Sequence, residues 1–156
     1  MESLKIQVEI LRAAYKRDNL IGNKNFPYLC CELPKSYAIT EGHVIKLIDK
    51  DACLIDMNKI FELNTNKYKF SMKESWLDHL DANYLEYVHS IKKDKDTIVC
   101  LKDEAGNMIY INQKYVNPYN PEWLVFRQGE EKHLVHLEDE FGSYFGCVCV
   151  IKGFKE

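Results

Sequence analysis

His133 and His136, three residues apart, and Cys147 and Cys149, two apart, are the side chains whose types best suit metal chemistry. Two imidazoles and two thiolates would satisfy a tetrahedral zinc ion. The spacing argues against it on a strand, where residues three apart point to opposite faces. Cys147 and Cys149 share a face, as any two residues at that spacing do in a buried strand. Core cysteines and rim histidines are the plainer reading, and no cofactor is expected.

A cysteine nucleophile needs a nearby histidine and an exposed, electropositive setting. Cys30 and Cys31, in a loop-flanked segment with His43 the nearest histidine in sequence, are the best placed. No helix N-terminus or basic neighbour backs them. His136, Glu138, Asp139 and Glu140 resemble a Mg2+ set in composition. Such sites gather oxygens from separate elements, whereas these acids are consecutive and sit beside Gly142, as in a solvated turn. No phosphate-cradling glycine loop or nucleophile elbow occurs.

Recognition chemistry is better represented. Tyr110, Tyr115, Tyr119 and Trp123 surround a proline loop, interleaved with Asn112, Asn117 and Asn120, with Arg127 just beyond. Tyr, Trp and Asn supply rigid amphipathic contact area at interfaces. Packing of these aromatics onto a sheet is the competing reading. Base stacking would want more cations than Lys114 and Arg127.

Bulk properties bound the alternatives. At 156 residues, 46% apolar and 29% charged, the chain suits one domain, 1–156, with a self-sufficient core. A net charge of −3 argues against a general nucleic-acid binder. No apolar run is long enough to span a membrane, and Glu2, Lys5, Glu9 and Arg12 lie too close together for a signal peptide. A cytoplasmic, reducing location follows, in which the six cysteines act as small hydrophobes. The Lys-, Asn- and Ile-rich, Ala-poor usage hints at an AT-rich genome.

The elements that must position these residues follow from periodicity. Ser3 caps a helix over 4–18, with Leu4, Val8, Leu11 and Tyr15 in one stripe and Lys5, Glu9, Arg12 and Lys16 in a separate arc. Tyr28 to Leu33 is extended between prolines. The runs 44–48 and 53–57 flank Asp49-Lys50-Asp51 as a hairpin, and a related pattern returns at 98–116. Ser71 and Glu74 have capping-box spacing, and Leu77, Leu80, Tyr84, Val88 and Ile91 continue a helix over 72–92 that ends at Lys92, Lys93 and Lys95. Five apolar runs then form an antiparallel meander over 97–151, with turns at 105–107, 129–131 and 141–143. In Ile98–Leu101 and Tyr144–Ile151 both faces are apolar, as in covered central strands. The fold class is α+β: a strongly curled sheet or small barrel with two helices against it.

These observations imply a small binding or inhibitor protein acting through a protein–protein interface, of the phage, plasmid or immunity-protein kind. Self-association is compatible with the same surfaces. A metal- or cysteine-dependent enzyme is the second expectation and a nucleic-acid module the third.

Overall fold

A computed structural model describes residues 2–18, 26–63, 72, 75, 82–116 and 119–156. The chain is α+β and divides into two compact units, Met1–Met72 and Lys73–Glu156.

The first unit begins with helix α1, Glu2–Asp18. Strands β1 (Leu29–Glu32), β2 (Ser36–Thr40) and β3 (Val44–Asp49) form consecutive antiparallel pairs, and helix α2 is Met57–Leu63. Register pairs Cys30 with Ile39 and Tyr37 with Ile48, which places these four on one face of the sheet. Ile6 and Ile10 of α1 and Met57 and Ile60 of α2 join that cluster. Each isoleucine so buried stabilises the unit by roughly 1.5–3 kcal/mol.

The helix at 4–18 is present, but its apolar stripe is not the buried one. Leu4, Val8, Leu11 and Tyr15 are exposed, while Ile6, Gln7 and Ile10 are buried. Gln7 decides the orientation, because its amide satisfies backbone that no strand reaches. Its Oε1 accepts from the Leu54 N–H at 2.7 Å, and its Nε2 donates to the Ala52 carbonyl at 3.0 Å. That segment is where the second strand of the expected hairpin over 44–57 would lie. Instead, Lys50–Ala52 is a 3-10 turn leading towards α2, and β3 takes β2 as its partner across Glu41–His43. The two related sequence patterns therefore fold differently, one as strand, turn and helix, the other as a hairpin.

The second unit contains six antiparallel strands: β4 (Asn83–Lys93), β5 (Asp96–Lys102), β6 (Met108–Asn112), β7 (Leu124–Gln128), β8 (Leu134–Asp139) and β9 (Tyr144–Cys149). Their order is β9-β8-β7-β4-β5-β6. The five runs of the expected meander are all strands, but β6 and β7 are not neighbours. β4 and β5 lie between them, so the proline loop is a crossover.

Over 83–93 the expected helix is a strand, while most of 72–82, including the Ser71–Glu74 capping box, falls outside the described residues. Tyr84, Val88 and Ile91 have helical spacing because β4 carries a bulge. Tyr87 pairs with Leu101 and His89 with Cys100, leaving Val88 as the extra residue. Lys92, Lys93 and Lys95 flank the tight β4–β5 turn, where Asp94 adopts φ 55.

The expected strongly curled sheet or small barrel is not formed: the strand order does not close on itself among the described residues. No ladder joins β6 to β9, although the Ile151 N–H donates to the Tyr110 carbonyl at 2.8 Å. One face of the unit is mostly apolar: Leu85, Val99, Leu101, Ile109, Ile111, Phe126, Val135, Leu137 and Val148 are all buried, with Gln128 buried beside them. In β5, Ile98–Leu101 is buried on both faces, as expected.

Candidate functional site

The opposite face of the second unit carries the chemistry. Register pairs Tyr84 with Arg127, Arg127 with His136, and His136 with Cys147, so four strands contribute one continuous row. A second bulge extends it. Leu137 pairs with Gly146 and Glu138 with Tyr144, which skips Phe145 and turns Tyr144 onto the row's face. Gly146, at φ 114, supplies backbone there that a side-chain-bearing residue rarely adopts.

The row is tightly bonded. Arg127 Nη2 donates to the Tyr84 hydroxyl at 2.7 Å, with the guanidinium carbon 4.1 Å from that ring's centre. Arg127 Nε lies 3.2 Å from Glu138 Oε1, both side chains being largely buried. Those two atoms lack hydrogen-bond alignment, so this contact is coulombic. His136 Nδ1 is 2.7 Å from the Tyr144 hydroxyl, which donates to Cys147 Sγ at 3.8 Å.

Burial pushes the Cys147 thiol up to about 12, against the lowering effect of the Tyr144 hydrogen bond. Burial, then the Cys147 charge, likewise raises Tyr144. At neutral pH both groups keep their protons. The thiolate is the nucleophile, so Cys147 is not poised for attack.

The four residues expected as a zinc set are divided by strand geometry. His136 and Cys147 are brought together. His133 sits in the turn before β8, exposed and 4.0 Å from Glu131, and Cys149 pairs with Leu134 two positions along. Cys30 lies in the first unit's apolar cluster, its thiol raised to about 12 by burial and then by Cys31. Burial raises Cys31 as well, the reverse of activation. The run 138–140 ends β8 and enters the turn: Asp139 Oδ1 accepts from the Phe141 and Ser143 N–H groups, while Glu138 faces Arg127.

Among the described residues, donor atoms converge at metal-holding distances in a different place, at His89, Cys100 and Glu156. Sequence reading missed this trio because its members are 11 and 56 positions apart and lie on three elements. The only signal for it was Cys100 inside a strand-like run.

The five residues expected to bind a partner also separate. Tyr110 packs at a tilt against Phe154 with ring centres 4.7 Å apart, and Tyr115 sits under the Lys114 ammonium. Arg127 belongs to the bonded row of the second unit, between exposed Tyr84 and buried Glu138. Tyr119 and Trp123 remain outward, at 36% and 68% exposure. Their backbone is fixed: Asn120 caps the 3-10 turn Pro121–Trp123, its Oδ1 accepting from the Glu122 N–H at 3.0 Å. Pro121 is buried, and the Trp123 N–H donates to the Asn120 carbonyl at 2.9 Å.

No protein-family model, curated protein or solved structure matches the chain.

Proposed function

We propose that the protein works by binding a partner protein, with Trp123 and Tyr119 as the contact residues. The observation that carries this reading is the pairing of a 68% exposed tryptophan with a capped turn anchored by a buried proline. An indole in water loses apolar burial, but one held in a fixed place gives large contact area with little ordering cost. Such residues dominate measured interface energies, typically by 2 kcal/mol or more for each truncation, about thirtyfold in Kd. Net charge of −3 disfavours a nucleic-acid partner at the same surface. The raised thiols of Cys30 and Cys147 give no support to a cysteine-nucleophile alternative.

Alanine at Tyr119 and Trp123 tests it. The wild-type chain should retain a partner from its native cells that the double variant loses, with identical circular dichroism and thermal midpoint. Equal retention by both proteins overturns the proposal.

A further inference from the structure

Three features of the second unit converge on one spot that the binding reading does not use. The bulge at Val88 is the first. Residues two apart on a regular strand share a face, yet Tyr87 pairs with Leu101 and His89 with Cys100, adjacent residues on opposite faces of β5. The extra residue thus turns His89 onto the face of Cys100, the kind of re-aiming that bulges perform beside functional sites.

The segment after β9 is the second feature. It returns across β6, held by the Ile151 N–H to Tyr110 carbonyl bond of 2.8 Å. Phe154 packs at a tilt on Tyr110 and lies under the Lys93 ammonium, 4.7 Å from its ring centre. Tyr110 pairs with Cys100 in register, so these anchors deliver Glu156 over the same face.

The third feature is the donor geometry. His89 Nε2 and Glu156 Oε1 are 3.3 Å apart, and all three donor atoms, with Cys100 Sγ, lie within 4.8 Å of one another. Zinc bonds of about 2.0–2.3 Å in a tetrahedron put ligand atoms roughly 3.3–3.8 Å apart. The His–Glu edge already has that length, and the sulfur edges, at most 4.8 Å, reach it with an inward shift of up to about 1 Å. Cys100 is fully buried, whereas the side chains of His89 and Glu156 are about half exposed. A cation could enter from solvent with the thiolate at the base, leaving one position for water.

We propose that His89, Cys100 and Glu156 form a divalent-metal site of zinc type, with one nitrogen, one sulfur and one oxygen ligand and an open fourth position. The mixed soft and borderline set favours Zn2+ over Mg2+ or Ca2+, which take oxygen ligands. Binding releases the Cys100 proton to solvent and leaves the metal's oxidation state unchanged.

Titration of the reduced, chelator-treated full chain with Co2+ tests the site. One equivalent should give a thiolate-to-cobalt charge-transfer absorption that Zn2+ displaces. Cys100→Ser should abolish the absorption. His89→Ala and Glu156→Gln, both at exposed positions that leave the fold intact, should each weaken Zn2+ affinity at least tenfold by calorimetry. Cys147→Ser and Cys149→Ser should change neither reading. Absence of the absorption, its survival in Cys100→Ser, or its loss in the Cys147 or Cys149 variant overturns the proposal.

Discussion

Replacing Glu138 with leucine takes the facing carboxylate away from the largely buried guanidinium of Arg127, and the size of the effect follows from the geometry. The charges face each other at 3.2 Å with side chains 13% and 5% exposed. In an effective dielectric of about 20 the attraction at that distance is roughly 5 kcal/mol, most of which offsets the desolvation of both groups. Removing one member of such a pair typically costs about 3–5 kcal/mol. Arg127 keeps its bond to the Tyr84 hydroxyl and its place over that ring, so the lower end, about 3 kcal/mol, applies to Glu138→Leu. The double replacement Arg127→Met/Glu138→Leu removes both charges and should recover at least about 2 kcal/mol of that loss. Equilibrium urea unfolding of the four proteins of the cycle, followed by circular dichroism, gives both numbers. A loss below about 1 kcal/mol for Glu138→Leu, or strict additivity in the double variant, would show that the charges are solvated and refute the reasoning.

Three further outcomes are expected. Ile10→Ala should destabilise the first unit by about 2–5 kcal/mol, whereas Leu11→Ser, one residue on but exposed, should stay within about 0.5 kcal/mol in the same unfolding assay. Cys30 and Cys147 carry thiols raised from the ordinary 9.0 to about 12. Their contribution to stability is therefore complete below pH 9 and is lost as pH rises towards 12, because the unfolded chain releases those protons first. Urea midpoints measured across that window should fall, less steeply for Cys147→Ala. Alkylation of Cys147 in the folded protein near pH 8 should run roughly a thousandfold slower than in the denatured chain.

Much of the second unit is legible because local chemistry and global position agree there. The turn at Ala105–Asn107 is fixed by Gly106 at positive φ and by Asp103, whose carboxylate accepts from the Asn107 backbone and side chain. The runs that become β5 to β9 are short, apolar and bounded by such turns. Legibility fails where one residue overrides a period. The extra Val88 lets β4 imitate helical spacing at Tyr84, Val88 and Ile91. Gln7, buried because it satisfies the backbone at Ala52 and Leu54, rotates α1 so that Ile6 and Ile10 face inward and the longer Leu4–Tyr15 stripe faces out. The trio at His89, Cys100 and Glu156 depends on strand register and a returning tail, neither of which has a local signature. Composition alone marks Tyr119 and Trp123, whereas the Asn120 cap and buried Pro121 that fix the adjoining backbone have no such signature.

The most direct test of the binding account is site-specific photocrosslinking in native cells, with a photoreactive residue replacing Trp123 in one protein and exposed Glu104 in another. The account predicts a discrete protein adduct at position 123, absent at 104 and suppressed by excess unlabelled wild-type chain. Identical adducts from both positions, or none from 123, would contradict it.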